Sequence, residues 1–278
     1  MHGLFLVIDR NNPRGLEHWA DELYARGIPA LILVDKAMPE TNPRLMRDIA
    51  QAGFEIGFCY NDKAAWDMPY DEQWPIFSRY VKTCEDCTGK KQNIFGAKFF
   101  SYNEATLQIA QKLGVKILPA RGTAGEEAVI YKPREYDVKI MSISNVPSAG
   151  MGTGSLCDWS LYSRSESPSA FGRILLGLRA DRMVVVTQTH LGGVKIRWWN
   201  VYQELLNACL VDWQPLPEFT ANPQEMPLAE IPQNKEAQYM NNAKPQLTLE
   251  KEPGFEIDKH DQACAAIHGE MLKECGIC

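Results

Sequence analysis

The chain has 278 residues, of which 45% are hydrophobic and 23% are charged, and its formal net charge is -6. This length and composition suit a soluble protein with one large α/β domain, or with a domain and a tail. An acidic balance without basic stretches argues against nonspecific nucleic-acid binding, which requires many Lys and Arg side chains on phosphates. No apolar stretch has the length of a membrane span or of a secretory signal, so we expect a cytoplasmic protein with no membrane span.

Short apolar stretches alternate with amphipathic ones up to about residue 210, and this order predicts strands and helices in turn. The predicted strands are Leu4–Asp9, Pro29–Asp35, Phe54–Phe58, Ala97–Phe100, Val115–Leu118, Val138–Ser144 and Met183–Thr189. The predicted helices are Gly15–Arg26, Pro43–Ala52, Trp74–Cys84, Glu104–Leu113, Ser169–Arg179 and Val201–Cys209. Buried β-branched strands that alternate with helices favour a parallel sheet covered by helices, and their number fits a barrel better than a small open sheet.

The composition changes after Asp212. Seven prolines lie between Pro215 and Pro253, mixed with Asn, Gln and Glu. Such a stretch buries too little apolar surface to order itself as a domain, so we expect an extended segment that wraps the barrel or extends away from it. The predicted organisation is a barrel over residues 1–212, a Pro-rich segment over 213–257 and a short helix with Cys and His over 258–278.

Several motifs follow one another in a family-like order between about residues 3 and 200. They are Val7-Ile8-Asp9-Arg10, Pro29–Val34, Gly53-Phe54-Glu55-Ile56-Gly57-Phe58-Cys59, Tyr102-Asn103-Glu104, Asp158-Trp159 and Val184–His190. Their order resembles that of the NodB-homology polysaccharide deacetylases, which are carbohydrate esterase family four. The resemblance implies a distorted (β/α) barrel with an extended Pro-rich C-terminal segment, and hydrolysis of an N-acetyl group on an amino sugar.

The resemblance also implies roles for individual residues. Asp9 corresponds to the catalytic base of the family, and His190 corresponds to its general acid. The three metal ligands of the family correspond to Arg10, Cys59 and Lys63. A guanidinium has no lone pair to donate, and an ammonium group ligates only when its pKa is strongly lowered. We therefore expect Cys59 to be the one possible metal ligand of the three, for a soft metal such as zinc.

Two further differences bear on the site. Where the family has Arg-Pro-Pro-Tyr-Gly, Gly96 takes the place of the Arg and Phe100 takes the place of the Gly. A shift of one residue in the alignment would instead make Asp9 a metal ligand, with Asp62 or Cys59 completing a rearranged site.

Other polar and aromatic residues are candidates for substrate binding. Arg10, Lys63 and Lys98 could gather into an anion site for a phosphate or a carboxylate, or they could be unrelated surface cations. Asp158 and Trp159 could shape one wall of a sugar-binding groove, because an indole face stacks on sugar C–H groups. The alternative is that Trp159 belongs to the core.

The C-terminal helix carries a second candidate metal site. The residues with ligand chemistry suited to zinc are His260, Cys264, His268, Cys275 and Cys278. Alternatively, each of the pairs Cys84–Cys87 and Cys275–Cys278 could be a dithiol switch. Zinc is the only cofactor that these residue types suggest.

The features together predict a polysaccharide-deacetylase-like protein of carbohydrate metabolism. We expect an atypical or impaired N-deacetylase, a hydrolase that acts on C–N bonds other than peptide bonds. The alternative is a non-catalytic protein that binds a carbohydrate or an anionic small molecule on a degenerate deacetylase fold, with its tail contacting a protein partner. A third possibility is a metal-independent hydrolase that uses Asp9 and His190.

Overall fold

The computed structural model describes residues 1–122, 127–148, 153–164 and 166–232. The strands are β1 (His2–Ile8), β2 (Ala30–Asp35), β3 (Glu55–Tyr60), β4 (Phe95–Ala97), β5 (Ile117–Ala120), β6 (Ile130–Pro133), β7 (Lys139–Ser142), β8 (Asn145–Pro147), β9 (Thr153–Ser155), β10 (Arg182–Gln188), β11 (Asp212–Trp213) and β12 (Gln224–Met226). The helices are α1 (Pro13–Ala25), α2 (Met38–Thr41), α3 (Pro43–Gln51), α4 (Tyr70–Thr88), α5 (Glu104–Leu113), α6 (Asp158–Tyr162), α7 (Pro168–Gly177), α8 (Ile196–Asn207) and α9 (Leu216–Phe219). Within the described ranges, no helix is both long and apolar enough to cross a membrane.

Two sheets close into a distorted barrel, as the sequence predicted. The larger sheet has parallel strands in the order β10-β1-β2-β3-β4, and the smaller sheet has the order β12-β6-β7-β5. A bridge between Ile94 and Ile117 joins β4 to β5. On the other side, the N–H of Leu156 donates to the carbonyl of Ser144, and the N–H of Val186 donates to that of Leu156. Leu156 therefore connects the chain after β7 to β10 through main-chain hydrogen bonds.

Apolar side chains fill both the interior of the barrel and the layer between the barrel and its helices. The interior contains Leu4, Leu6, Ile8, Leu31, Leu33, Val184 and Val186. The outer layer contains Phe5, Val7, Ile32, Val34, Met183 and Val185, together with Trp19 and Leu23 of α1. Because successive residues of a strand point to opposite faces, strands that are buried on both faces need continuous apolar sequence. The uninterrupted apolar stretches of β1, β2 and β10 meet that need.

Most predicted elements are confirmed within a few residues, and three predictions need correction. Helix α8 begins at Ile196 rather than at Val201. The strand predicted over Ala97–Phe100 is wrong, because β4 ends at Ala97 and Lys98–Phe100 forms a 3₁₀ turn. Helix α4 begins at Tyr70, before Pro75, rather than at Trp74. The sequence analysis also missed β6, the β8–β9 hairpin and α6, which are only three to five residues long. Elements this short carry too few periods to be recognised.

The beginning of the Pro-rich segment packs on the barrel. Strand β11 pairs with β1, and strand β12 pairs with β6. Leu216 and Phe219 of α9 are buried in the barrel interior. The extended segment therefore wraps the domain as far as residue 232, while the predicted C-terminal helix lies outside the described residues.

Helix α1 lies directly against the end of β10 because residue 15 has no side chain. A Cβ at Gly15 would overlap the carbonyl oxygen of Thr189, whereas a Cβ at Gly177, in α7, would meet nothing within 4 Å. We predict that Gly15→Ala lowers the free energy of unfolding by roughly 1–3 kcal/mol or more, because two main chains must separate. Urea unfolding measures this value.

The matched control is Gly177→Ala, which we expect to raise the free energy of unfolding by about 0.4–1 kcal/mol through the lower entropy of the unfolded chain. Equal effects of the two substitutions would contradict the proposed contact between α1 and the end of β10.

Candidate functional site

The carboxyl ends of four adjacent strands form the rim of the barrel. Asp9 follows β1, Asp35 ends β2, Cys59 lies near the end of β3, and His190 comes two residues after β10. The pairing places Ile8 beside both Leu33 and Gln188, and Asp35 beside Cys59. The fold thus brings the predicted residues Asp9, Cys59 and His190 to one rim, where barrel enzymes place their functional groups.

The Asp9 carboxylate is fully buried and is held by three separate segments. Its Oδ1 accepts a hydrogen bond from the N–H of Asn12 at 2.9 Å and from the hydroxyl of Thr189 at 3.2 Å. Its Oδ2 accepts a hydrogen bond from the N–H of Asp35 at 3.2 Å. Burial raises the pKa of Asp9 above its ordinary value, although the two main-chain hydrogen bonds oppose that rise. The carboxylate therefore links the ends of β1, β2 and β10, independently of any catalytic role.

The Cys59 side chain is buried beside both acidic and basic groups. Its Sγ lies 3.4 Å from Oδ1 of Asn61. Burial raises the pKa of the Cys59 thiol to about 12, with the charge of Arg10 opposing the rise and the charges of Asp35 and Asp9 adding to it. Since the thiolate is the form that binds metals, a thiol that remains protonated at neutral pH is a poor ligand.

The two basic residues in the ligand positions are also unsuited to a cation. Arg10 is half-buried, and its main-chain N–H donates to the hydroxyl of Thr189 at 3.0 Å. The Nζ of Lys63 lies 2.9 and 3.2 Å from the two carboxylate oxygens of Glu72, in α4. An ammonium group offers no lone pair, and this one is engaged with Glu72. The residues in the three ligand positions therefore do not fit a divalent metal.

No group of three or more His, Cys, Asp or Glu side chains within the described ranges is arranged to hold a metal ion. The rearranged alternative, with Asp9 as a ligand and Asp62 or Cys59 completing the site, fits no better, because Asp62 forms an ion pair with Lys36 and the Cys59 thiol is buried and protonated. The residues of the second candidate site, Cys264, His268, Cys275 and Cys278, lie outside the described residues. A zinc site there stays a prediction.

A bulky residue occupies the barrel interior next to the rim. Phe100 is only 8% exposed and packs in the interior cluster that includes Ile8 and Cys59. Phe99 and Phe100 both have left-handed backbone conformations, with φ of 61° and 53°. The backbone at Phe100 therefore keeps a conformation that suits Gly, the residue found there in the resembling family, but carries a phenyl ring. That ring takes space directly beneath the rim.

Asp158 stabilises the turn after β10 from a fully buried position. Its carboxylate accepts hydrogen bonds from the N–H groups of Trp159 at 2.7 Å, Gln188 at 3.1 Å and Gly192 at 3.0 Å. It also accepts one from the hydroxyl of Thr187 at 2.9 Å. The side chain has no exposed surface in this structure. Its predicted role in substrate binding stays a prediction.

Trp159 lies at the rim beside His190. The centroids of the two rings are 4.9 Å apart, with an angle of 55° between their planes, and both residues are half-buried. Trp159 also packs against both the interior and the outer apolar layers. It therefore serves partly as a core residue, while its neighbour His190 can face the rim. Lys98, the third member of the predicted anion site, donates from Nζ to the carbonyl of Asp62 at 3.4 Å.

The sequence analysis missed two residues of the rim. Asp35 ends the buried strand β2, so the rule that functional groups lie at strand ends would have found it. Thr189 bonds to Asp9 and to the N–H of Arg10, and a single Thr after an apolar strand gives no signal of such a role.

The comparisons with known proteins agree with the observed fold. Residues 3–118 match the sequence model of the polysaccharide deacetylase family. The described barrel is a NodB-homology deacetylase fold. The resemblance predicted from the motifs is thus confirmed. No curated protein sequence matches the chain.

Solved structures of deacetylases and of a pseudoenzyme are similar to this NodB-homology barrel. A peptidoglycan deacetylase from Bacillus subtilis is 8% identical, with a TM-score of 0.53, and the match covers 78% of this chain and 89% of that one. A CE4 family pseudoenzyme from Bacillus anthracis is 13% identical, with a TM-score of 0.54, over 80% of this chain and 66% of that one. A mutant CE4 family pseudoenzyme with restored enzymatic activity is 12% identical, with a TM-score of 0.57, over 80% and 68%. At these identities the likeness establishes the fold.

We predict that Asp158→Asn destabilises the NodB-homology barrel. The amide NH₂ of Asn would face a main-chain N–H such as that of Gly192, and a buried donor left without an acceptor costs roughly 1–3 kcal/mol. Thermal and urea unfolding at neutral pH measure the change. Asp212→Asn is the control. Asp212 pairs with His2 at the surface, and the loss of this exposed pair should change the free energy of unfolding by less than about 0.5 kcal/mol. A neutral effect of Asp158→Asn would contradict the structural role.

Proposed function

We propose that this protein binds a carbohydrate on a polysaccharide deacetylase fold in which metal-dependent N-deacetylation is impaired. The observation that carries the proposal is the chemistry of the three ligand positions. Arg10 is permanently charged, the thiol of Cys59 is buried and protonated, and Lys63 is bound to Glu72. The family match supports a carbohydrate as the ligand class. A protein partner for the tail and the cytoplasmic location stay predictions.

Magnitudes show why the loss of these ligands matters. A catalytic metal lowers the pKa of its bound water from about 15.7 to about 7, which is worth on the order of 12 kcal/mol in forming hydroxide. A general base alone contributes about a hundred- to ten-thousand-fold, or roughly 3–5 kcal/mol. Asp9 alone therefore cannot replace a metal in hydrolysis of an amide, although binding of the sugar needs no metal.

The proposal predicts binding without metal-dependent turnover. In titration calorimetry, the wild-type chain should bind an N-acetylglucosamine oligomer in the presence of a chelator. Added zinc or cobalt should not stimulate acetate release from the same oligomer. Metal-stimulated release with cobalt bound at Asp9 and Cys59 would overturn the proposal, as would the absence of any sugar binding.

A restored ligand set should recover metal binding. We predict that Arg10→Asp, Cys59→His and Lys63→His, combined with Phe100→Gly to free the interior beneath the rim, bind about one cobalt ion per chain. The activity restored in a mutant pseudoenzyme of similar fold supports this design. Cobalt absorption spectra and acetate release are the measurements.

The control for the restored variant carries Lys63→Ala in place of Lys63→His, so that one ligand is missing. We expect its cobalt affinity to be at least about tenfold lower than that of the full variant. Equal affinity in the two variants would mean that cobalt binds elsewhere, and the assignment of Lys63 to a ligand position would fail.

A second candidate function is metal-independent hydrolysis of a bond more reactive than an amide. One observation favours it: Thr189 bonds to Asp9 and is followed directly by His190, so a base and an acid lie near each other at the rim. We expect any acetyl-ester hydrolysis by this route to resist chelators and to fall about a hundredfold or more in Asp9→Asn and in His190→Ala. Unfolding curves of both variants serve as the control for folding. Full activity in both variants would exclude the route.

A further inference from the structure

Two aromatic side chains lie next to each other at the carboxyl end of the barrel. Trp66 is in the 3₁₀ turn that follows β3, and Phe99 is in the 3₁₀ turn that follows β4. Their ring centroids are 6.2 Å apart, and the angle between their planes is only 18°. Both residues are half-buried, so each ring keeps part of its surface in solvent. The same end of the barrel carries Asp9 and Cys59.

The two turns are tied to each other by one buried hydroxyl. The N–H of Ala65 donates to Oγ of Ser101 at 2.6 Å, and that Oγ donates to the carbonyl of Lys98 at 2.7 Å. Ser101 is only 2% exposed. The residue before Trp66 and the residue before Phe99 are therefore fixed relative to each other. The two rings are positioned in advance of any ligand.

A second set of bonds fixes the Trp66 turn to α5. The Nδ2 of Asn103 donates to the carbonyls of Trp66 at 3.1 Å and Met68 at 2.9 Å. The side-chain oxygen of Asn103 caps α5 by accepting from the N–H of Thr106 at 3.1 Å. These bonds already order the two turns, so a ligand that binds here immobilises few further groups. Such a surface therefore loses less conformational entropy on binding.

Backbone strain is found in the turn that carries Phe99. Phe99 has φ of 61° and ψ of 19°, and Phe100 has φ of 53°. Two consecutive non-glycine residues in the left-handed region cost free energy, and such strain concentrates at functional sites. The Phe100 ring is buried in the barrel, so its packing offsets the cost of the left-handed conformation. The Phe99 ring lies against Trp66 and is only half-buried, so core packing offsets less of that cost.

We propose that Trp66 and Phe99 form an aromatic platform that binds the face of a pyranose ring whose hydroxyl groups are equatorial. Such a ring presents axial C–H groups on its faces, which pack against the electron-rich faces of aromatic rings. One polar group lies at the platform: the Nζ of Lys98 is over the Phe99 ring, 5.5 Å from its centroid, and donates to the main-chain carbonyl of Asp62. The Lys98 ammonium can also donate to a hydroxyl of a sugar that packs on Trp66 beside it. The proposal rests on the proposed carbohydrate ligand and names where it binds.

The test is titration calorimetry with a pentamer of β-linked N-acetylglucosamine against the full chain. Trp66→Ala and Phe99→Gly should each weaken binding about tenfold, which is typical of removing an aromatic anchor. Glycine at position 99 accepts the positive φ, so this variant should fold, and thermal unfolding checks both variants. Trp66→Phe keeps an aromatic face and should retain most of the affinity. A galacto-configured oligosaccharide, with an axial hydroxyl, should bind more weakly than the pentamer.

A second aromatic pair offers a matched control. Trp74 stacks on Tyr70, with centroids 6.0 Å apart and planes 7° apart, and the Nζ of Lys112 lies 4.2 Å from the Trp74 centroid. This pair belongs to α4 rather than to a turn after a strand, so Trp74→Ala should leave the affinity within about twofold. If the wild type binds and the Trp66 and Phe99 variants bind equally well, the platform is refuted while the carbohydrate function stands. If the wild type binds no sugar, both are refuted.

Discussion

The Asp9 carboxylate is the interaction on which the rim of the barrel depends. Its two oxygens accept hydrogen bonds from residues that follow β1, end β2 and follow β10. These bonds are made by main-chain and hydroxyl donors, so they need no metal. The shape of the rim therefore depends on these hydrogen bonds and does not depend on Arg10, Cys59 or Lys63.

In the turn after β4, the backbone conformation is likewise independent of the side chain that it carries. Phe100 keeps a left-handed conformation that Gly would adopt at little cost, and main-chain bonds hold it there, including one from the N–H of Arg121 to its carbonyl. The strain is compensated because the Phe100 ring fills the barrel interior. The Phe100 side chain is thus part of the core. Its neighbour Phe99 shares the strain and places its ring outside, beside Trp66.

The sequence predicted the elements whose signal is long or repeated. Continuous apolar stretches identified β1, β2 and β10, and Gly114 ends α5 at φ of 75°, as expected for a left-handed cap. The ordered motifs predicted the family fold, and the resemblance assigned Asp9 and Cys59 to one site. The sequence could not reveal what those side chains contact, because Lys63 could face either the rim or Glu72 and only the fold decides. The burial of Asp158 was hidden for the same reason, since its partners include Thr187 and Gly192, far along the chain.

The charges of Arg10 and Lys63 and the neutral thiol of Cys59 fit the acidic groups around them. A divalent cation beside Asp9 and Asp35 would balance their charge, and its removal alone would leave two carboxylates near one another. Arg10 brings a positive charge into the same region, where it acts on Cys59 against the two carboxylates. Cys59 adds no charge, because burial keeps its thiol protonated. Lys63 is directed to Glu72 and so leaves that balance undisturbed. Arg10 and the two carboxylates therefore act on the rim with opposite signs, and their effects on Cys59 partly cancel.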